Sequence, residues 1–181
     1  MTLDDHVVPW SGVTYRHVPV GSPYGVLDFR FAGRASNNRW NLAGEATLYL
    51  ASDIAVALGE FARHLRTDLP PEARRDLVAR QVYAMHVEID GVIDLRDTRV
   101  WEGLSLANAP YCFLDIGIAR ATAGFLRHTT SAAGVLVPSM AFLDHPDRWV
   151  LALFLEKLPE DPGRFLTSIE SAGVFQIDTL P

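Results

Sequence analysis

The sequence has little of several features that would place a protein outside the cytoplasm. It contains one cysteine, and no uninterrupted run of 18 apolar residues. Cys112 has no second cysteine in the chain to pair with, so nothing indicates an oxidising compartment. A transmembrane helix needs about 20 consecutive apolar residues, so none is predicted. The first ten residues carry Asp4 and Asp5 instead of the cationic and apolar regions of a secretory signal. We therefore expect a cytoplasmic protein without a membrane partner.

Positive charge is also scarce relative to negative charge. The formal net charge is -6, and Lys157 is the one lysine beside 15 arginines. Domains that bind nucleic acid through their own surface are usually basic, because neutralising phosphates supplies most of their affinity. We therefore expect no direct nucleic-acid binding. The length of 181 residues and the 49% hydrophobic content fit one globular domain over residues 1–181.

Several familiar catalytic signatures are missing as well. The sequence has no GxGxxG, no GxxxxGK[ST] and no GxSxG, which leaves a Rossmann site, a P-loop and a nucleophile elbow unsupported. The six histidines are scattered and form no cluster with the cysteine. We therefore expect no metal site.

The periodicity of apolar residues predicts a mixed α+β domain. Short strands are predicted at residues 13–18, 46–51, 81–89, 92–95, 134–137, 148–155 and 174–177. Helices are predicted to follow Ser52 as an N-cap and to cover residues 72–80 and 111–127. Residues 21–44 and 96–110 are expected to be irregular, and Asp90-Gly91 is expected to form a turn. This order is not a regular βαβ alternation, so a doubly wound parallel sheet is disfavoured.

The predicted helix after Ser52 carries an acidic candidate residue, Glu60. Ile54, Ala57, Leu58, Phe61 and Leu65 follow at helical spacing and predict one apolar face. Glu60 is predicted to lie well off that face, where it can point into water or into a cleft. Helical glutamates are usually solvated. A carboxylate facing a ribosyl group would stabilise the positive charge that develops when an N-glycosidic bond breaks.

Other polar residues occur at the ends of short apolar strands, where side chains can converge on a pocket. An arginine in a strand, such as Arg16, is usually solvated or salt-bridged, but it could also grip a phosphate. Arg39, between Asn38 and Trp40, is open to the same two interpretations. Tyr49 fits either a core tyrosine or a ring that stacks on a ligand. Ser139 ends an apolar strand and has no adjacent base, so hydrogen bonding suits it better than nucleophilic attack.

Taken in order, these segments resemble the RES-domain family, named for its Arg, Glu and Ser. The resemblance spans about residues 13–155. The matching stretches are Tyr15-Arg16, Gly33 with Arg39-Trp40-Asn41 and Gly44, Thr47–Ala51, residues 57–60, residues 134–139 and Trp149–Phe154.

The resemblance implies a compact mixed-sheet core related to ADP-ribosyltransferases, with NAD as the substrate. It also implies the toxin of a bacterial type II toxin–antitoxin system whose partner is an Xre-type helix-turn-helix antitoxin, and an oligomer formed with that antitoxin. The loop before Trp40 is longer than the family pattern, which leaves two candidates for the family arginine. We choose Arg39 over Arg34 because Trp40 and Asn41 follow it.

The resulting hypothesis is cleavage of the nicotinamide–ribose bond of NAD by hydrolysis or phosphorolysis, without a metal. The resemblance assigns catalysis to Glu60, Arg39 and Ser139, with Ser139 orienting the ribose or the amide. It assigns NAD contacts to four further residues: Arg16, Tyr49, Tyr15 and Asn41. Two alternatives stay open, a protein ADP-ribosyltransferase that uses the same pocket and a non-catalytic module that binds the antitoxin.

Overall fold

The computed structural model describes residues 2–33, 38–68 and 79–176. Within these ranges the chain forms six strands and three α helices. The strands are β1 (Val8–Pro19), β2 (Thr47–Ala51), β3 (Arg80–Asp94), β4 (Gly134–Pro138), β5 (Trp149–Phe154) and β6 (Leu166–Phe175). The helices are α1 (Ile54–Asp68), α2 (Thr98–Gly103) and α3 (Ile116–Thr129). None of the described helices is both long and apolar enough to cross a membrane.

The strands form a mixed sheet in the order β1-β2-β5-β4-β3-β6, and a further pairing joins β1 to β3. The pairing of β3 with β4 is parallel, whereas the other pairings are antiparallel. The contact between β1 and β3 closes five of the strands into a ring, from which β6 projects as an added strand on β3. The predicted α+β class with a mixed-sheet core is therefore confirmed.

The long strand β3 makes this closure possible. It pairs with β1 from Arg80 to Val92 and then continues beside β4, where Val92 lies opposite Gly134. The prediction of a turn at Asp90-Gly91 is wrong, because the strand runs through both residues. A side chain on Gly91 would come within 2.9 Å of Val7, so the glycine here permits close packing rather than a turn.

Two further expectations differ from the structure, and a third lies mostly outside the described residues. Residues 96–110 are not wholly irregular, because they contain α2. The predicted helix over residues 111–127 is divided into a short 3-10 helix, Tyr111–Leu114, and α3, whose first turn is capped by the Asp115 carboxylate. Asp115 ends the 3-10 helix and caps the start of α3. The spacing of apolar residues does not reveal such a break. Of the predicted helix over residues 72–80, residues 72–78 lie outside the described residues, and Arg80 is the first residue of β3.

The core lies on both faces of the sheet. The adjacent strands β4 and β5 are almost completely buried and send alternate side chains to opposite sides. Val135 and Phe154 join a cluster that packs against α1 and α3, whereas Leu136 and Leu151 join a cluster on the other face. The apolar runs that predicted these strands thus reflect burial on two sides. Strand β5 pairs with β2, and the cluster that contains Val135 packs against α1, so the buried strands support both elements that carry the candidate site.

Candidate active site

A cleft of about 610 Å³ opens between β1, β2, the start of α1 and the loop that follows residue 30. Most of the residues singled out by sequence converge on it. The predicted residues that line the cleft are Tyr15, Arg16, Arg39, Tyr49 and Glu60. Asn41 and Ser139 are not among the lining residues, although Trp40, Pro138 and Met140 beside them are.

The carboxylate of Glu60 is held at one oxygen by two donors. The Ser139 hydroxyl donates to Glu60 Oε1 at 2.6 Å, and the backbone N–H of Ala141 donates to the same oxygen at 2.9 Å. Ser139 is fully buried. Its hydroxyl thus contacts Glu60 in the structure, and the contact with the ribose or the amide stays a prediction. A charged acceptor makes both hydrogen bonds stronger than neutral ones.

Helix α1 delivers Glu60 to this position. The predicted N-cap was Ser52, but the Asp53 carboxylate accepts the capping hydrogen bond from Val56 N at 2.8 Å. Val56 and Ala57 are buried, and Glu60 follows them after one helical turn. Glu60 therefore continues a packed side of the helix, whereas the sequence analysis placed it well off the apolar face.

Gly59 explains how the segment after β4 comes close enough to reach Glu60. A Cβ atom at Gly59 would lie 2.6 Å from the ring of Phe142. The missing side chain lets α1 approach residues 139–142 closely, and Ala141 N then reaches the carboxylate. The position of Glu60 thus depends on a glycine one residue before it and on a loop about 80 residues later.

Arg16 lies at one side of the cleft. Its guanidinium donates to the backbone carbonyl of Val26 and lies over the ring of Phe29, 5.2 Å from the centroid. Burial lowers the pKa of Arg16 to about 10, while the charge of Asp28 acts in the opposite direction. The arginine stays charged at neutral pH in a partly desolvated site, where its attraction for an anion is stronger than in water.

Arg39 lies at another side, against the chain just before α3. Its Nη1 donates to the carbonyls of Phe113 at 2.6 Å and Leu114 at 3.0 Å. Burial and the charge of Arg63 lower the pKa of Arg39, and the charge of Glu60 counteracts them. The competing candidate for this position, Arg34, lies outside the described residues.

Tyr49 and Asn41 brace the loop that carries Arg39. The Tyr49 hydroxyl donates to Asn41 Oδ1 at 2.6 Å and accepts from Trp40 N at 3.1 Å. Asn41 is 1% exposed and also donates to the carbonyl of Gly33. Burial raises the pKa of Tyr49 well above its ordinary value. The Tyr49 ring lines the cleft, whereas the Asn41 side chain is buried and hydrogen-bonded within the loop. The contact of Asn41 with NAD stays a prediction.

The cleft also contains titratable lining residues that were not singled out from the sequence. These are His17, directly after Arg16, and the α1 residues Arg63 and His64, one turn beyond Glu60. Helical spacing from Glu60 was the signal that could have indicated the latter two. Phe61 was assigned to the core face but also lines the cleft.

The charges around the cleft favour an anion. Of the described side chains that line it, three are arginines (Arg16, Arg39 and Arg63), and Glu60 is the one carboxylate. No group of three or more histidine, cysteine or acidic side chains suited to a metal ion occurs within residues 2–33, 38–68 and 79–176. The arrangement therefore combines an anion-binding wall with one positioned carboxylate.

Comparison with known families identifies the class of protein to which this fold and cleft belong. The sequence model of the RES domain family matches residues 14–166. The chain therefore belongs to the RES domain family, as the order of its motifs predicted. No curated protein sequence matches the chain.

Among solved structures, the fold is similar to a chain in the crystal structure of the M. tuberculosis MbcT–MbcA toxin–antitoxin complex. The two chains share 20% sequence identity with a TM-score of 0.69, and the match covers 93% of this chain and 88% of the other. This likeness confirms the predicted mixed α+β fold over nearly the whole chain.

Proposed function

We propose that this RES domain cleaves the nicotinamide–ribose bond of NAD. The observation that carries the proposal is the carboxylate of Glu60, held by Ser139 and Ala141 N in a cleft that arginines line. NAD combines the two features that such a cleft would recognise. Its pyrophosphate is anionic, and its ribose develops positive charge at the anomeric carbon as nicotinamide leaves.

In the proposed reaction Glu60 faces that developing charge. The bond between C1 of the ribose and the nicotinamide nitrogen breaks, and its electron pair goes to the ring nitrogen. Glu60 stabilises the oxocarbenium-like state, because an opposite charge fixed in advance costs no reorganisation during the reaction. Both observed hydrogen bonds fall on Oε1, so we assign Oε2 to the ribose. The leaving nitrogen is already cationic in NAD, so the step requires no metal.

We assign the other lining residues to binding. Arg16 and Arg39 would contact the phosphates and the nicotinamide ribose, since a guanidinium can pair with two phosphate oxygens. The rings of Tyr15 and Tyr49 would pack against NAD, because the Tyr49 hydroxyl is already engaged by the loop. The acceptor is water or phosphate, which yields ADP-ribose or its 1-phosphate.

We further propose that the protein is the toxin of a toxin–antitoxin pair and binds an Xre-type antitoxin near the cleft. Three large apolar side chains among the lining residues are exposed to solvent, namely Phe31 (51%), Leu114 (51%) and Ile116 (36%). Exposed apolar groups that gather at one opening favour a protein partner. The similar fold in a toxin–antitoxin complex supports the same assignment. An NAD-degrading enzyme with an open cleft would also require an inhibitor in its own cell.

The test is NAD turnover by the purified chain, followed by chromatography with and without phosphate. We expect nicotinamide release by the wild type and a loss of at least about 100-fold with Glu60→Gln. A matched control is Glu88→Gln, because Glu88 lies on β3 with its side chain 58% exposed. This control should keep full activity.

The products decide among the alternatives. Free ADP-ribose indicates hydrolysis, and ADP-ribose 1-phosphate indicates phosphorolysis. A protein that carries covalent ADP-ribose after incubation with cell extract would instead indicate an ADP-ribosyltransferase. Intact NAD under all of these conditions would refute the proposal and leave a module that only binds its antitoxin.

A further inference from the structure

A second group of three residues forms one wall of the cleft and its support, and it takes no part in the proposed chemistry. It joins His17 of β1, Phe61 of α1 and Arg80 of β3. Arg80 Nε donates to His17 Nδ1 at 3.0 Å. The guanidinium of Arg80 lies over the ring of Phe61, 4.3 Å from its centroid, and the rings of Phe61 and His17 are 5.0 Å apart. His17 and Phe61 line the cleft, whereas Arg80 stands behind them.

The hydrogen bond defines the state of the histidine. An arginine can only donate, so His17 Nδ1 must be an unprotonated acceptor. Burial, with the charges of Arg80 and Arg16, lowers the pKa of His17 to about 3, against a weaker effect of a hydrogen bond with the Ala57 backbone. Helix α1 contributes Glu60, Arg63 and His64 to the same cleft. His17 therefore presents an uncharged ring beside Arg16.

Arg80 is itself partly desolvated. Burial lowers the pKa of Arg80 to about 10. A cation in such a place requires compensating contacts, and here the contacts are the His17 nitrogen and the face of Phe61. The three side chains come from three different elements, so removing the guanidinium releases two residues of the cleft wall together.

We infer that Arg80 is a positioning residue, which fixes the His17 ring in its Nδ1-acceptor form and thereby holds the His17–Phe61 wall of the cleft in one geometry. The consequence for catalysis rests on the proposed NAD cleavage. An uncharged His17 ring avoids a further positive charge beside Arg16 as the pH falls. A displaced wall would lower turnover, since small errors in substrate placement are costly.

The first measurement observes His17 directly and needs no activity. Two-bond proton–nitrogen NMR reports the protonation of each imidazole nitrogen, and His17→Gln assigns the signal. In the wild type we expect Nδ1 to be unprotonated and the ring not to titrate from about pH 8 to about pH 5. In Arg80→Met, whose side chain can still cover Phe61, we expect the pKa of His17 to rise, because one of the two charges that lower it is removed while burial and Arg16 remain. Arg80→Lys, which keeps the charge and a donor, should restore the wild-type behaviour in part.

The second measurement compares the pH profiles of kcat and KM for NAD cleavage. Arg80→Met should lower kcat/KM about tenfold at neutral pH. It should also introduce a decline toward low pH at the new pKa of His17, because an imidazolium would then repel Arg16. Arg99→Met is the matched control, since Arg99 is 74% exposed and paired with Asp97. It should change neither profile.

The two measurements separate failure of this inference from failure of the proposed function. A wild-type His17 that is protonated at Nδ1 or titrates near 6.5 would overturn the inference, as would an unchanged His17 signal in Arg80→Met. Altered titration with unchanged kinetics would overturn the catalytic consequence. If the wild type leaves NAD intact, the proposed function fails, and the NMR result alone decides whether Arg80 fixes the wall.

Discussion

Replacing Ser139 with alanine would separate the positioning of Glu60 from the chemistry of Glu60. The change removes one of two hydrogen bonds to Glu60 Oε1 and leaves the bond from Ala141 N in place. It removes a single oxygen from a fully buried position and introduces no charge. The carboxylate remains in the cleft, but its orientation is then held from one side only.

A hydrogen bond to a charged group contributes about 1.5–3 kcal/mol. If this contribution is realised where positive charge develops, kcat should fall about 10- to 100-fold, because each 1.4 kcal/mol corresponds to a factor of ten. KM should change little, since an interaction that matters in the transition state acts on kcat. The assay is steady-state release of nicotinamide. Denaturation in urea would show how much of the loss reflects unfolding.

The chain offers a closely matched control. The Ser131 hydroxyl also donates to a carboxylate, that of Asp4, at 2.9 Å on an exposed surface. Ser131→Ala should therefore leave both kcat and KM unchanged. A loss in Ser139→Ala as complete as that in Glu60→Gln would contradict a purely positioning role and indicate contact with the substrate. Unchanged kcat would show that Ala141 N alone holds the carboxylate.

Three other perturbations test the structure around the cleft. Tyr49→Phe should lower the free energy of unfolding by about 1–3 kcal/mol in urea, because two buried partners of the hydroxyl lose their hydrogen bond; an unchanged midpoint would contradict the bracing role. Burial and the charges of Arg80 and Arg16 lower the pKa of His17 to about 3 in the folded state, against an ordinary value of about 6.5. Between these values the unfolded state binds more protons, so the free energy of unfolding falls as the pH is lowered. The wild type should lose about 2 kcal/mol of its free energy of unfolding between about pH 6.5 and 5. The loss should be smaller in His17→Gln and unchanged in His128→Gln. Equal losses in the two variants would exclude His17 as the source. Gly33→Ala should cost at least about 2 kcal/mol and abolish NAD cleavage, because φ is +76° and the new Cβ would lie 2.0 Å from the carbonyl oxygen of Glu45; a stable, active variant would show that this loop readily moves.

The elements predicted best from the sequence are those whose pattern reflects burial alone. The apolar runs of β4 and β5 were found almost to the residue, because strands buried on both faces leave an uninterrupted apolar signal. The continuity of β3 was missed, because Asp90-Gly91 has the composition of a turn. Ile89 and Val92 pair with β1 on either side of this dipeptide, where the register shifts, and Val7 closely approaches Gly91. These partners are distant in sequence from the dipeptide.

In the candidate site too, some features could be predicted from the sequence and others depend on contacts between residues distant in the chain. The resemblance to the RES-domain family assigned Arg16, Arg39 and Glu60 to one site, and the structure brings them to one cleft. The sequence could not show which polar atoms would face a ligand and which would face one another. Ser139 and Glu60 are separated by 79 positions, and their hydrogen bond depends on the close approach of α1 to residues 139–142. Partners so far apart follow from tertiary packing and not from a local pattern.

The hydrogen bonds of the cleft bear on how it would act on NAD. Arg16 is tied to the carbonyl of Val26, and Arg39 Nη1 is tied to the carbonyls of Phe113 and Leu114. Glu60 is likewise held before any ligand binds. A guanidinium has five N–H donors, so each arginine can be anchored through one nitrogen and still pair with a phosphate. The entropy of ordering these side chains is therefore lost during folding and not during binding or reaction. We accordingly expect substitutions that loosen Glu60, such as Ser139→Ala, to act mainly on the rate of bond cleavage, because the carboxylate must already be in place when charge develops.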